Sequence, residues 1–467
     1  MFDKFSEKNI WVASTASTGS ATVETDTGDG SFENPYSKIQ TAIDNASAGT
    51  NIVLFSGVYN EKLIVQDICG TTDEPITICA FSKDGEEVIS NSDWYFYSAS
   101  DFVIKGIKFQ KTANSAISLI GESQRNSIKD CEFEECGEAS ECAVFFGGSG
   151  GECNIIENCE FTAPKDAQNH IAVMISQSID TSVAEPVEAV EATIFNSRNT
   201  SVRFCRFNDC KTAVVVGSDE NISGLFGEHE ISDNLFENCE TGVKIKISGT
   251  QICGNIFRDC KTAIVNEFGA ENEIFENRFE NCEKAISVLC DDLTIKENCF
   301  VNSAVCLETK FDENALPILI CENTFADAKI ESCETMCFIT KNIFYETEIS
   351  ENKNLVEKDN KIVEKDSFLD FTNGDFSTNT NYGSSNGAEN RLKIEEIPLL
   401  DISEIYEKER GHSLDKKLPQ EMIEERDLLL QSMYFQDENE EEIEFEAMSV
   451  GQLGLREIGI DGELEDN

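Results

Sequence analysis

Apolar residues recur along most of this chain in a fixed order, with polar residues between them. The order is an Ile, an Asn three positions later, a Phe two positions on, a Cys three further, and then Ala or Gly before Ile or Val. The pattern returns about every 21 to 25 residues, as solenoid repeats do. Its clearest copies begin at Ile231, Ile252 and Ile274. Each repeat is too short for a pair of helices, and its β-branched runs alternate as strands require.

Neighbouring copies keep parts of the same pattern. Later coils keep Asn298 and Phe300, Asn323 and Phe325, and Asn342 and Phe344, whereas earlier coils keep only the Phe, at positions 109, 133, 161 and 207. A leucine-rich repeat has a similar period, but its Leu positions are missing here. We therefore predict an all-β fold, a single-stranded right-handed parallel β-helix, whose inward rows stack at about 4.8 Å. The predicted inward stack is Phe236, Phe257, Phe279 and Phe300, and the predicted ladder at a bend is Asn234, Asn255, Asn277 and Asn298.

A helical segment precedes the first coils. Asn34 is a suitable N-cap, and Pro35 suits the first helical position. An apolar stripe at helical spacing follows, at Ile39, Ala42, Ile43 and Ala46. We expect a short helix that caps the open N-terminal end of the solenoid, because the terminal edge of a solenoid needs protection.

The C-terminal quarter departs from the repeat. We divide the chain into an N-terminal segment (1–27), the β-helix with its cap (28–370), a linker rich in Asn, Ser, Thr and Gly (371–390), a helical segment (391–436) and an acidic tail (437–467). The C-terminal extension is thus expected to be partly helical and acidic, and its tail to be solvated or to dock a basic partner.

The N-terminal part carries a resemblance to a known group of proteins. The segments in question are Gly28 to Gln40, Ala42-Ile43, Gly49 to Leu54, Gly57 to Glu61 and Pro75 to Ile78. They resemble the N-terminal module of bacterial pectin-lyase-like β-helix proteins, a superfamily that includes pectate lyases, alginate lyases and chondroitinase B. The resemblance extends over residues 10 to 345 and implies the fold, but its motifs describe capping and coil geometry and hold no catalytic residue.

The charge balance limits the partners. The chain has 89 acidic and 37 basic side chains, a formal net charge of −52. Such a surface repels nucleic acid and anionic membranes, and we expect neither as a partner. It also repels polyanionic polysaccharides unless a cation such as Ca²⁺ bridges the two. The sequence does not determine the oligomeric state.

The 19 cysteines recur at repeat positions. No C-x-x-C pair occurs, and Cys333 and Cys337, the one C-x-x-x-C pair, have no nearby His, so a zinc site is disfavoured. Small buried thiols stacked inside the coils are favoured over a disulfide framework.

The N-terminus shows neither a signal peptide nor a membrane span. As written, the sequence predicts a cytoplasmic protein. If the start is truncated, a secreted or cell-surface protein is the alternative.

Three early coils have an enlarged version of the same turn. The enlarged turns are residues 147 to 151, 177 to 200 and 217 to 230. Insertions at one turn of neighbouring coils fall on one face, so we predict a groove beside them that suits a long polymer. A neutral, low-complexity loop is the alternative for the second turn.

Several chemistries are disfavoured. A polygalacturonase-like hydrolase needs Asp residues where this chain has Thr212, Thr241, Thr262 and Lys284, and Asp291-Asp292 is out of register. The Gly-rich run at 147–151 is followed by a strand, so it is not a phosphate loop. We interpret His170 and His229 as structural and not catalytic.

A uronate lyase needs a Lys or Arg base to remove the proton α to the carboxylate. The candidate bases are Lys244, Lys246, Arg203 and Arg206, and the candidate cation ligands are Asp219, Glu220, Glu228, Glu230 and Glu267. Lys246 beside Glu267 has two interpretations, a base next to a cation-binding carboxylate or a surface ion pair across strands. The sequence therefore leaves two functions open: a polysaccharide-binding or polysaccharide-processing β-helix, if an enzyme then a lyase assisted by Ca²⁺, or a non-catalytic surface, binding or scaffold protein.

Overall fold

Short parallel strands wound around one interior make up the fold. A computed structural model of the chain describes residues 8–14, 28–81, 86–137, 142–147, 153–164, 170–176, 178–179, 194–195, 198–217, 227–308, 316–332, 336–350, 354–370 and 375–378. Each regular coil gives one strand to sheet A, one to sheet B and one to sheet C, and strands pair with those of the coils before and after. The predicted parallel β-helix is confirmed.

Strands are numbered along the chain, and sheet A has 14 of them in the described residues. They are β1 (Asn9–Val12), β2 (Asn51–Phe55), β5 (Ile76–Phe81), β8 (Phe102–Lys105), β11 (Ser127–Lys129), β14 (Ile155–Glu157), β19 (Ser201–Arg203), β22 (Glu230–Ser232), β25 (Gln251–Cys253), β28 (Asn272–Phe275), β31 (Leu293–Lys296), β34 (Ile318–Cys321), β37 (Cys337–Thr340) and β40 (Leu355–Lys358).

Within the part of the chain that the structure describes, sheet B has 13 strands. They are β3 (Gly57–Tyr59), β6 (Val88–Ser90), β9 (Lys108–Gln110), β12 (Glu132–Glu134), β15 (Glu160–Thr162), β20 (Arg206–Asn208), β23 (Leu235–Glu237), β26 (Ile256–Arg258), β29 (Arg278–Glu280), β32 (Cys299–Val301), β35 (Thr324–Ala326), β38 (Ile343–Tyr345) and β41 (Lys361–Ile362).

Sheet C has 12 strands over the same described residues. They are β4 (Leu63–Gln66), β7 (Trp94–Tyr97), β10 (Ile117–Ile120), β13 (Cys142–Gly147), β16 (Ile171–Ile175), β21 (Thr212–Val216), β24 (Thr241–Lys246), β27 (Thr262–Phe268), β30 (Lys284–Val288), β33 (Ala304–Leu307), β36 (Lys329–Ser332) and β39 (Glu348–Ile349). Among the described residues, two antiparallel strand pairs lie outside these sheets: β17 (Ser178–Ile179) with β18 (Ile194–Phe195), and β42 (Phe368–Asp370) with β43 (Asp375–Thr378).

The predicted Phe stack is confirmed and extends further than the clearest repeats. From Phe109 to Phe325, consecutive ring centroids lie 4.6 to 5.1 Å apart and ring planes stay within 8° of parallel. The stack is Phe109, Phe133, Phe161, Phe207, Phe236, Phe257, Phe279, Phe300 and Phe325. The spacing between strands sets the ring spacing, because each ring occupies the same position on the next coil. All nine rings are buried in the interior behind sheet B.

The predicted Asn ladder is also confirmed, at the corner between sheets A and B. From Asn234 to Asn360, the side-chain oxygen of each Asn accepts the backbone N–H of the ladder Asn one coil earlier, at 2.8 to 3.0 Å. In earlier coils Cys131, Cys159 and Cys205 lie at this corner, and the Cys205 N–H donates to the Asn234 side chain. The residue before each ladder position has a positive φ, as at Asp233 (φ 55°), a conformation that Asp, Asn and Gly adopt most readily.

The cysteines pack as the sequence predicted, since every described cysteine is a free thiol and most are buried. The thiols of Cys239, Cys260 and Cys282 donate to Phe carbonyl oxygens one coil earlier, at 3.6 to 3.7 Å. Burial raises the pKa of Cys131 and Cys159 well above the ordinary value, which keeps these thiols protonated.

The N-terminal helix α1 (Ile39–Asp44) begins later than predicted. Lys38 is its N-cap, so the predicted cap at Asn34 and first turn at Pro35 are wrong. The carboxylate of Glu61 accepts hydrogen bonds from the Ile39 and Gln40 N–H groups at 2.7 and 3.1 Å. Glu61 therefore caps the N-terminus of the helix in place of an N-cap side chain. This carboxylate is 22 residues away in sequence, which is why local reading could not find it.

Helix α1 packs on the terminal strand of sheet C. The side chain of Gln40 accepts the Ile64 N–H at 3.0 Å and donates to the Ile64 carbonyl at 3.1 Å, so it pairs with the open edge as a strand would. Ile39, Ala42 and Ile43 are buried in the interior.

The C-terminal segments predicted as a helical segment (391–436) and an acidic tail (437–467) lie outside the described residues. Strand β43 lies within the segment predicted as a linker (371–390), so strand pairing continues to Thr378. In the described part of the chain, no helix has the length and apolar character needed to cross a bilayer.

Candidate functional site

The three enlarged turns leave sheet C at neighbouring strands. They follow β13, β16 and β21, which pair with one another in that order. Each turn leads into the next sheet A strand, so all three lie at the corner between sheets C and A. Residues 148–152, 180–193 and 218–226 lie outside the described part of the chain.

Two predicted bases lie on the strand next to these turns. Lys244 and Lys246 are on β24, which pairs with β21. Both side chains approach Glu267 on β27: the Lys244 Nζ lies 2.6 Å from Glu267 Oε2, and the Lys246 Nζ lies 3.9 Å from the same oxygen. The Lys246 side chain is only 10% exposed, whereas those of Lys244 and Glu267 are about one-third exposed. These three residues are the candidate site.

A β-bulge positions Glu267. The register between β24 and β27 shifts at Lys246, which pairs with Phe268 after Ile245 has paired with Asn266. Glu267 is therefore the extra residue of β27. Bulges re-aim side chains and are frequent beside functional sites. This bulge was not predicted from the sequence, although a polar Asn266 in an inward row was a signal of irregular pairing. The Asn266 side chain is fully buried and accepts a hydrogen bond from Asn272 at 3.0 Å.

The third enlarged turn begins against Lys246. Gly217 has φ +96°, and a Cβ added there would lie 2.7 Å from the Lys246 carbonyl carbon and oxygen. Only glycine allows this close approach of the two backbones. The candidate site therefore lies directly beside the turn that leaves β21.

The other two predicted bases lie on different sheets. Arg203 is on β19 of sheet A, where its Nη2 lies 3.3 Å from Glu157 Oε1, and Lys129 approaches the other oxygen of Glu157 at 3.0 Å. Arg206 is on β20 of sheet B. The structure thus brings Lys244, Lys246 and Glu267 together and separates them from Arg203 and Arg206.

The predicted cation ligands are distributed rather than grouped. Asp219 and Glu220 lie outside the described residues. Glu228 is exposed at a corner with φ 50°, Glu230 lies on β22 of sheet A, and Glu267 lies on sheet C. Among the described residues, no three or more His, Cys, Asp or Glu side chains form a group that could hold a metal ion.

The two described histidines occupy corner positions. His170 is buried, and its Nε2 lies 2.7 Å from the Cys136 carbonyl oxygen. Burial lowers the pKa of His170. The Nδ1 of His229 accepts the Thr200 N–H at 3.3 Å, in the manner in which Asn154 accepts the Asn126 N–H. Both contacts are those of structural residues.

Sheet C has a second feature that the sequence analysis missed. Its seven neighbouring strands from β4 to β24 are fully described and contain no Asp or Glu, in a chain with 89 acidic residues. We call the outward side of these strands the acid-free face. One outward row consists of Ile64, Tyr95, Ser118, Phe145, Met174, Val215 and Lys244. The signal was present in the strand sequences, but it needs the register across coils to become visible.

Comparison with known proteins supports the architecture. A family model described as "Periplasmic copper-binding protein (NosD)" matches residues 167–358. No curated protein matches the chain in sequence. A PL6 family alginate lyase aligns with a TM-score of 0.53 at 13% identity, over 82% of this chain and 57% of that chain. The chain thus spans little more than half the length of that lyase.

Two further solved structures cover more of their own length. The PL6 family polysaccharide lyase from Pseudopedobacter saltans aligns with a TM-score of 0.50 at 17% identity, over 73% of this chain and 94% of that chain. A PL6 alginate lyase in complex with a trisaccharide gives a TM-score of 0.50 at 12% identity, over 77% and 86% of the two chains. At these identities the likeness concerns the fold.

The description of the matching family raises the question of copper. In the described part of the matched segment, the histidines are engaged in corner contacts, and the buried cysteines donate to carbonyl oxygens. These residues do not fit a copper site, because soft metal sites need thiolate or free imidazole donors that converge. The fold and the comparisons agree on one conclusion: the chain is a right-handed parallel β-helix protein.

Proposed function

We propose that this protein binds an anionic polysaccharide on the outer face of sheet C, beside the three enlarged turns, and cleaves it as a uronate lyase. The observation that carries the proposal is the cluster of Lys244, Lys246 and Glu267 at a bulge, directly beside the turn that begins at Gly217. The likeness in fold to PL6 family lyases is consistent with it.

We assign the roles of the three side chains from their exposure to solvent. Lys244 is the more exposed ammonium, and in the proposed complex it pairs with the uronate carboxylate. Lys246 is shielded, as a base that must receive a proton from carbon needs to be. Glu267 orients both side chains. In the reacting state Lys246 is the neutral amine, and its Nζ takes the proton from the carbon α to the carboxylate. The electron pair forms a carbon–carbon double bond, and the glycosidic oxygen on the β-carbon leaves and takes a proton from water. The hydroxide that remains takes the proton back from Lys246 Nζ.

The role of a divalent cation stays a separate proposal. A bound Ca²⁺ would neutralise the uronate carboxylate and stabilise the negative charge that develops on it. Among the predicted ligands that the structure describes, Glu267 is the one in contact with the two lysines. Asp219 and Glu220 belong in sequence to the adjacent enlarged turn. If Ca²⁺ takes part, a chelator abolishes cleavage and added Ca²⁺ restores it.

The test uses pectate, alginate and chondroitin, with and without Ca²⁺, and follows the ultraviolet absorbance of unsaturated uronate ends. Lys246→Ala should lower cleavage about 10²- to 10⁴-fold, the usual contribution of a general base, and leave polymer binding in place. Lys244→Ala should weaken binding. Lys284→Ala is the matched control, since Lys284 lies on the same sheet and forms an ion pair with Glu308.

A non-catalytic binding protein is the second candidate. The contact of both lysines with Glu267 favours it, because such a set is also a surface ion-pair cluster. Binding of a polymer without any unsaturated product would establish this candidate. No binding and no product on any of the three polymers would rule out the carbohydrate function and leave a scaffold role.

We also propose that the protein acts outside the cytoplasm, where such polymers occur. The description of the matching family as periplasmic supports this location. Fractionation of the native host with an antibody against the protein tests it, and recovery in the cytoplasmic fraction alone would contradict it.

A further inference from the structure

The acid-free face differs in charge from most of the molecule. In a chain with a formal net charge of −52, acidic side chains recur on sheet B, as at Glu132, Glu160 and Glu237. The first five strands of sheet A, from β1 to β11, form a shorter stretch without acids. The seven strands from β4 to β24 carry two lysines and no acid. A polyanion is therefore repelled least along this face.

The shape of the face selects a linear ligand. Strands run across the solenoid axis, and equivalent outward residues follow the axis at about 4.8 Å per coil. From β4 to β24 there are six intervals between strands, a length of about 29 Å. A chain that lies along the axis meets the larger side chains of the outward row, from Ile64 at one end to Lys244 at the other. Ser118 and Val215 lie between them and are nearly buried.

The end of the face far from the candidate site carries tyrosines. Tyr97 is 47% exposed, and its ring lies against Gly121, where an added Cβ would sit 3.4 Å from the ring. Tyr95 is on the same strand, and the Lys62 Nζ lies 4.6 Å from its ring centroid. Burial, and then the nearby Asp93 carboxylate, raise the pKa of Tyr95, which keeps its phenol protonated.

These groups together match a uronate unit. The CH-rich side of a pyranose ring stacks on an exposed aromatic face, and an ammonium beside it pairs with the carboxylate of the same unit. We propose that Tyr97, Tyr95 and Lys62 form a remote subsite for an anionic polysaccharide, and that the acid-free face joins this subsite to the candidate site at Lys244 and Lys246. This inference rests on the proposed function and deepens it, because it names the length and direction of the substrate.

The distance between the two ends has a measurable consequence. Tyr95 and Lys244 lie five strands apart in sheet C, about 24 Å along the axis. A disaccharide or trisaccharide at the lysines does not reach the tyrosines, whereas a chain of about ten units contacts both ends. Affinity should therefore rise with chain length until the face is filled.

The experiment measures binding of uronate oligosaccharides of increasing length by calorimetry. Tyr97→Ala should weaken the binding of decamers about tenfold and leave the binding of trimers unchanged. Ile120→Glu, which adds an acid at an outward position of β10 between the two ends, should also weaken only the long chains. Leu289→Ala is the control, because Leu289 is 42% exposed and lies beyond the acid-free face.

The outcomes separate the two proposals. Equal affinity of wild type and Tyr97→Ala for decamers overturns the remote subsite, even if Lys246→Ala abolishes cleavage and the proposed function stands. Weakened decamer binding without any unsaturated product keeps the subsite and overturns the lyase. Self-association that Tyr97→Ala removes, seen by light scattering, assigns the face to a second copy of the chain and overturns the subsite. Unchanged thermal unfolding of each variant checks that the fold is intact.

Discussion

Sheets B and C enclose the same interior, but their outer faces differ in their charged residues. On sheet B, Arg258 pairs with Glu237 at 2.8 Å and with Glu280 at 3.2 Å, and Lys108 lies within 2.9 Å of both Glu132 and Glu134. Charges there are neutralised across neighbouring coils. On sheet C, the strands from β4 to β24 have no acid, and the lysines at their end contact the Glu267 carboxylate, which lies at a bulge of the next strand.

The difference between the two faces concerns outward residues alone, because packing constrains the inward rows behind both sheets. The inward rows behind both sheets are occupied by Phe, Ile and Val, because stacking of like residues on successive coils fills the interior. The outward rows are free of that requirement. An outward face that departs from pairwise neutralisation is therefore a better guide to a binding surface than any inward repeat.

The largest effect should come from the interior that both sheets share. Phe257 behind sheet B and Ile264 behind sheet C are both fully buried. Phe257→Ala should lower the free energy of unfolding by about 3 to 5 kcal/mol, and Ile264→Ala by about 2 to 5 kcal/mol, because each leaves a cavity in a close-packed row. Urea denaturation measures both values. If Phe257→Ala costs less than about 1 kcal/mol, the Phe stack is not the core.

A smaller effect is expected from the ion pairs of sheet B. Glu280 accepts from Arg258 at 3.2 Å and from Arg278 at 2.5 Å, and its side chain is 13% exposed. Glu280→Gln should cost about 1 kcal/mol in low salt, and the loss should shrink in 1 M salt as charges are screened. Gln66→Ala, at an exposed position of the acid-free face, should change stability by less than about 0.5 kcal/mol in either condition. A salt-independent loss for Glu280→Gln would mean that packing, not charge, distinguishes the two faces.

The smallest effect on stability is expected at the corner between sheets B and C. His170 precedes β16, and burial lowers its pKa from the ordinary value of 6.5. The unfolded chain then binds a proton that the folded chain excludes, so this contribution to stability is complete above pH 6.5 and is lost as the pH falls through 6.5 toward the folded pKa. Thermal unfolding between pH 5 and 8 should show a shallower decline for His170→Asn than for wild type. Parallel curves for the two proteins would contradict the buried neutral state.

Local sequence was enough to predict much of the fold. The spacing of Ile, Asn, Phe and Cys predicted the coil, the Phe stack and the Asn ladder, because each inward position repeats its chemistry within one period. The three enlarged turns could also be placed on one side, since they interrupt the same point of successive periods. The same register predicted Lys246 opposite Glu267, but the bulge places Phe268 opposite Lys246, and Lys244 makes the shorter contact with Glu267.

Tertiary structure decided what depends on contacts between distant residues. The start of α1 depends on Glu61, and the position of Glu267 depends on a bulge. Arg203 and Arg206 are separated from the lysines because their strands belong to different sheets. The acid-free face exists only because seven strands, spread from Leu63 to Lys246, align their outward residues. The repeat period in the sequence determines which residues point inward. An outward face, in contrast, consists of residues from many coils, and only the register between the strands of the folded chain determines which of these residues lie side by side.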